Sequence, residues 1–320
     1  MTTTATQETI NPVQEEQSMW SSMNILVIAG IMLMIGIIWR IVDQFVLGLG
    51  DTWMNIMPSK LFPFLILIGF FWKYRRSGID LVLGLSKKQL RSQISVGIVL
   101  GLFLTFMLRF GGPLIYGLFL DSTYPIDFRI VDIELLGYMF LFFLTNAFLE
   151  ETLFRGLLQN AFKTRFTPNK AIILSAVMFG LWHAGWPILN GGPIQEVMSQ
   201  VSTLIFGSII LGLLFGFYYE RFSSGQSLIG LVVIHTILNF IGECFKIGPE
   251  AGIQGPDIPL YSPSLAIVSF VLFLMAFSTL FILFMRYKIE QVSALWARLS
   301  DWIRFRARRK KITNNAVWTI

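Results

Sequence analysis

Charge is scarce in this chain. Asp, Glu, Lys and Arg make up 14% of its 320 residues, against about 25% in soluble domains, which excludes an ordinary solvated globular surface. The single cysteine, Cys244, excludes an intramolecular disulfide and any Cys-based metal cluster, and it reads as a small buried apolar side chain. Histidine occurs only twice, as His183 and His235, and no His-Glu-x-x-His pair is present. The first 22 residues hold no Lys or Arg but do hold Glu8, Glu15 and Glu16, so the expectation is a disordered polar tail without a cleavable signal. No internal repeat is evident, which weighs against a transporter built on inverted repeats with Glu and His as a proton relay.

Apolar length is abundant. Hydrophobic residues make up 54% of the chain, with 30 Phe and 9 Trp, and the mean hydropathy is +0.66. A soluble core cannot absorb such runs, so the fold class is all-α, a polytopic membrane helix bundle. Eight transmembrane helices are predicted, at roughly 23–47, 56–73, 92–119, 133–163, 170–189, 197–220, 225–246 and 263–287. The expected organisation is a tail (1–22), N-terminal transmembrane helices (23–79), a core (80–246), a last transmembrane helix (247–288) and a basic amphipathic tail (289–320).

Lys and Arg orient this layout. With the segment 73–91 placed in the cytoplasm, 19 of the 25 basic residues fall on that side and only Lys60, Arg109, Arg129 and Lys246 on the other. Both termini are then cytoplasmic, in the plasma membrane. Trp72, Tyr74, Tyr218, Tyr219 and Tyr287 fall at cytoplasmic span ends, as an aromatic belt would. Residues 77–91 read as an amphipathic interfacial connector. In the tail, Val292, Leu295, Trp296, Leu299, Trp302 and Ile303 share one helical stripe, and Arg304 to Lys311 follow. That pattern suits a helix lying on anionic lipids. Because the basic residues flank apolar spans, the net charge of +6 does not point to nucleic acid.

Ionisable groups inside a span are costly, about 2.5–3.5 kcal/mol each on insertion scales, and so mark function. The fourth span carries Glu150, Glu151 and Arg155. Glu151 and Arg155 stand at i and i+4 and can pair; Glu150 is rotated about 100° away and lacks that partner. Glu150 lies 13 residues before Lys163, and His183 lies 13 residues after Lys170, so both are about 20 Å from the turn between their spans. His235 lies 11 residues beyond Ser224, about 16 Å deep, and Asn239 follows one turn on along the same face. Three spans therefore bring a carboxylate, two imidazoles and an amide to one level.

Three motifs carry a family resemblance. They are Glu150-Glu151-Thr152-Leu153-Phe154-Arg155, Phe179-Gly180-Leu181-Trp182-His183 and His235-Thr236-Ile237-Leu238-Asn239. In order and spacing the chain resembles the CPBP intramembrane endopeptidases, the Abi and Rce1-like CAAX-processing proteases, over roughly residues 80–245. The resemblance implies that Glu150 and His183 activate a water for peptide-bond hydrolysis near the cytoplasmic face. It implies further that His235 and Asn239 stabilise the oxyanion, and that Glu151 and Arg155 support them. A peptide or protein substrate, lipidated in the CAAX branch, is the implied partner. Glu150, His183 and His235 could serve as zinc ligands, but the resemblance to the Rce1 branch favours a metal-free, glutamate-activated water and no cofactor. The alternative is a catalytically silent scaffold or bacteriocin-immunity protein of the same family.

Overall fold

The structure is a computed structural model that describes residues 21–47, 58–131, 133–248 and 263–316. The expected polar tail lies, up to residue 20, outside the described residues, as do residues 249–262 and the side chains beyond Arg304.

The chain is an all-α membrane helix bundle. Its helical bodies are α1 (Ile25–Leu47), α2 (Pro58–Tyr74), α3 (Leu90–Leu120), α4 (Ile133–Lys163), α5 (Pro168–His183), α6 (Ile194–Phe222), α7 (Ile229–Cys244), α8 (Pro263–Arg286) and α9 (Ile289–Ala316). Of these, α1, α3, α4, α6 and α8 are long and apolar enough to cross a membrane. By contrast α2 has 17 residues, and α5 and α7 have 16 each, short of the about 20 that a full span needs. Among the described residues five helices are thus long enough to span by length and composition alone, and the eight expected from the sequence are not all of that length.

Several of these bodies depart from plain α-helix. In α1, α3, α4 and α6 the backbone widens into π-helix, at Val42–Leu47, at Phe106–Phe110 and Tyr116–Leu120, at Thr152–Leu158 and at Tyr218–Phe222. Such widened turns are rare and often accompany functional sites. The fifth predicted span ends early, because α5 stops at His183 and a separate short helix, Gly185–Asn190, carries Pro187. Two three-residue strands interrupt the all-helical pattern: β1 (Phe128–Ile130) leads towards α4, and β2 (Phe245–Ile247) leaves α7. They pair antiparallel, Arg129 opposite Lys246, and so tie the start of α4 to the end of α7.

Close helix contact is purchased with small residues. A Cβ at Gly97 of α3 would sit 2.8 Å from the carbonyl oxygen of Gly230 on α7, and one at Gly180 of α5 would sit 2.8 Å from that of Ile205 on α6. Membrane bundles rely on such approach, since lipid supplies no hydrophobic drive to bring helices together. One apolar core joins α3, α6, α7 and α8, and a second joins α1, α2, α4 and α5.

Three sequence expectations need correction. Tyr218 and Tyr219 are fully buried, their hydroxyls engaged by Gln93 at 2.7 Å and Asn160 at 3.1 Å, so they belong to the core and not to an interfacial belt. The connector 77–91 does not simply lie on the surface: Leu83 is fully buried, its backbone against Gly156. Lys60, counted among the basic residues of the outer side, stands in the first turn of α2 and reaches Glu150 within the bundle.

Candidate active site

The site is built from α4 outward. Glu150 and Glu151 are the last two residues before the π-turn Thr152–Leu158. Arg155, within that turn, is completely buried. Its Nη1 donates to Glu151 Oε1 at 3.2 Å, the i, i+4 pair that the sequence suggests. The guanidinium is also sandwiched by aromatic faces, 3.9 Å from the Phe179 ring centroid and 5.2 Å from that of Phe215. A buried cation needs such partners, because in an apolar interior nothing else replaces its hydration.

Glu151 has a second partner. His235, on α7, brings Nδ1 to 2.7 Å from the same Oε1. On α5, His183 brings Nδ1 to 2.8 Å from the carbonyl oxygen of Phe179. A carbonyl oxygen can only accept, so Nδ1 of His183 carries a proton, and Nε2 is left as the acceptor of the neutral ring. Phe179 thus serves three neighbours: it caps Arg155, packs edge-on against His183 with ring centroids 4.5 Å apart, and meets His235 at 6.2 Å.

The two Nε2 atoms face Glu150. Oε2 of Glu150 lies 3.7 Å from Nε2 of His235 and 4.0 Å from Nε2 of His183. Both separations exceed a direct hydrogen bond, and this Oε2 is buried without a hydrogen-bond partner among the described residues. At such separations one water seated beside the facing atoms can hydrogen-bond to both. The sequence-based reading left Glu150 unpaired, which requires correction for its other oxygen. Oε1 accepts from Nζ of Lys60 at 3.3 Å and from the Trp182 indole N–H at 3.1 Å.

Lys60 and Trp182 are the site residues that sequence reasoning missed. Trp182 sits inside the second motif and could have been noticed as the one indole donor beside His183. Lys60 offers a weaker signal, a lone cation within an apolar span. The first two helices also shape this wall: a Cβ at Gly36 of α1 would meet the Trp182 ring at 3.0 Å, and Phe64 of α2 packs 5.8 Å from Phe148 of α4. Asn239 is half-buried one turn beyond His235. The site is open on the side of His183, whose side chain is 27% exposed against 3% for Glu150.

The donor set does not form a zinc site as arranged. Tetrahedral zinc holds its ligands about 2.0 Å away and hence about 3.3 Å from one another. Here the facing atoms are set wider, and Lys60 occupies the second oxygen of Glu150. Among the described residues no group of three or more His, Cys, Asp or Glu side chains is placed to hold a metal ion.

Comparison with known proteins agrees with the motifs. Residues 132–241 match the model of the Rce1-like family, described as type II CAAX prenyl endopeptidase Rce1-like. No curated protein matches the chain. The matched segment holds α4, α5, α6 and α7 as far as residue 241, with Glu150, His183, His235 and Asn239, whereas Lys60 lies outside it. Over this segment, which carries all three motifs, the membrane-embedded chain is similar to the Rce1-like, type II CAAX prenyl endopeptidase family.

Proposed function

We propose that the protein is an intramembrane endopeptidase that hydrolyses a peptide bond by water activated at Glu150 and His183, without a metal. The observation that carries this reading is Oε2 of Glu150, buried and without a hydrogen-bond partner among the described residues, facing two imidazole nitrogens at 3.7 and 4.0 Å. Glu150 takes a proton from a water bound beside Oε2 while His183 orients it, and the hydroxide attacks the scissile carbonyl. The proton then passes to the leaving amine as the C–N bond breaks.

The tetrahedral oxyanion needs fixed donors, which are commonly worth about 10²- to 10³-fold each in rate. His235 and the Asn239 amide fill this role. To donate from Nε2, His235 must carry protons on both nitrogens, and the Glu151 carboxylate at Nδ1 supports that imidazolium. Arg155 fixes Glu151 in turn. Lys60 and Trp182 hold Oε1 of Glu150, so that Oε2 is the oxygen turned to the water.

The distribution of Lys and Arg supports cytoplasmic termini and cleavage from that side. The exposed Leu295, Trp296, Leu299, Trp302 and Ile303 of α9 suit an anionic leaflet. Quenching of α9 tryptophan fluorescence by brominated anionic lipid, and not by brominated zwitterionic lipid, checks this last point.

The test of the activity is turnover of fluorescence-quenched peptides in proteoliposomes, one ending in an S-farnesylated CAAX-type sequence and others unmodified. Wild type is expected to cleave at least one of them, and Glu150→Gln, His183→Ala and His235→Ala none. Equal turnover by wild type and Glu150→Gln would sink the proposal. A phenotype retained by all three variants at wild-type abundance would favour a silent scaffold.

A further inference from the structure

Asn146 is a polar side chain within an apolar face. It is 6% exposed, and its Oδ1 has no hydrogen-bond partner among the described residues. Nearly all buried polar atoms in folded proteins are paired, so each exception calls for a reason. The neighbours of Asn146 on α4 supply none: Phe142, Phe143, Ala147 and Leu149 are all buried and apolar.

Its position is set by the register of α4 against α7. The helices run antiparallel, with Glu150 and Glu151 opposite His235 and, further along, Met139 opposite Cys244, their sulfurs 3.7 Å apart. Four residues back from Glu150 is Asn146, and four residues on from His235 is Asn239. Each step is about one turn along the same helical face and in the same direction. The two carboxamides therefore occupy one layer of the α4–α7 seam, immediately next to the layer of Glu150 and His235. Asn146 is also no more shielded than Glu150 at 2% or His235 at 4%.

We propose that Asn146 binds the peptide backbone of the substrate beside the scissile bond, with Oδ1 accepting a substrate N–H. This rests on the protease reading above. A bond presented for hydrolysis must be freed from helical hydrogen bonding, and in apolar surroundings its flanking N–H and C=O groups need replacement partners. A carboxamide supplies one acceptor and two donors, the complement of a peptide unit. Asn239 on the facing helix completes a layer of two amides.

The proposal separates activity from stability. A structural amide lowers stability when removed, whereas an amide kept open for substrate does not, because its apolar replacement relieves an unpaired buried group. In proteoliposomes, Asn146→Ala and Asn146→Leu are compared with wild type and Glu150→Gln on the same farnesylated and unmodified peptides. Ester analogues of those peptides, each lacking one backbone N–H near the cleaved bond, complete the set. The expected result is a fall in kcat/KM of about 10- to 100-fold in Asn146→Ala, with thermal midpoints at or above wild type. One ester analogue should cost wild type a similar factor and cost Asn146→Ala nothing further. Asn146→Ala with kcat/KM within about twofold of wild type, a lowered midpoint in both variants, or equal ester penalties in both proteins would overturn the assignment and leave the protease reading intact. Full activity in Glu150→Gln, or no peptide cleaved by wild type, would remove that reading and this proposal with it.

Discussion

Oε1 of Glu151 lies 2.7 Å from Nδ1 of His235 and is the oxygen that Arg155 also reaches, at 3.2 Å. One carboxylate thus links a buried cation to an imidazole that faces Glu150. The arrangement predicts different outcomes for its two ends. Glu151→Gln keeps the shape but removes the carboxylate charge beside Nδ1 of His235, so under the proposed mechanism kcat should fall about 10²- to 10⁴-fold with little change in KM. Arg155→Met strips a partner from a fully buried carboxylate and should cost about 3–5 kcal/mol in stability. Glu151→Gln in turn leaves the buried Arg155 without its carboxylate, so both variants should lose stability. Single-turnover kinetics in one detergent should show the larger fall in kcat for Glu151→Gln, and equal kcat in the two variants would contradict the division of labour.

Lys60 provides the second prediction. It contacts Glu150 from α2, outside the family-matched segment. Lys60→Met leaves Oε1 with only the Trp182 donor, and kcat should fall about 10- to 100-fold while KM holds. Lys60→Arg, which keeps the charge, should recover part of the loss. A variant series in which Met and Arg behave alike would show that the charge is immaterial to turnover.

The legible part of the site was legible because charge is so rare here. Glu150, Glu151, Arg155, His183 and His235 stand out against apolar spans, and counting 1.5 Å per residue from the turns placed Glu150, His183 and His235 at one level. Lys60 escaped because a lone Lys near a span end is absorbed by the orientation rule as a charge of the outer side. Only a contact across 90 residues of sequence shows where it points. The π-turn at Thr152–Leu158 leaves no mark in hydropathy, since apolar residues fill it as they would an α-helix. The strands β1 and β2 are three residues each, too short for an alternating pattern. The ends of α5 and α7 were not legible either: both helices are apolar along their length, and nothing in hydropathy marks a stop at His183 or a start at Ile229.

Metal dependence yields a third prediction. Lys60 on one oxygen of Glu150, with the facing nitrogens set wider than a zinc shell, supports hydrolysis without metal. Purified active protein should contain zinc well below one ion per chain, and 1,10-phenanthroline should leave kcat within about twofold of its untreated value. Stoichiometric zinc that departs together with activity and restores it on return would reverse this assignment, and would make His183 and His235 ligands.

The seam between α5 and α6 gives the last prediction. A Cβ at Gly180 would sit 2.8 Å from the carbonyl oxygen of Ile205 and closer still to the side chain of Ile209. Because one of these obstacles is backbone, the helices must part to admit it. Gly180 lies one residue from Phe179 and three from His183, which ends the helix, so any displacement is delivered to the Arg155 cap and to the nitrogen facing Glu150. Gly180→Val should therefore cost about 1–3 kcal/mol in stability. It should also lower kcat by about 10²-fold, because misplacing a reacting group by about 1 Å is enough for such a loss. Adding Ile209→Ala clears the side-chain obstacle but not the Ile205 carbonyl, so the double variant should regain only part of both. Complete recovery of activity in the double variant would show that Ile209 alone sets the spacing of α5 from α6, and that His183 is held in place by something other than the backbone seam.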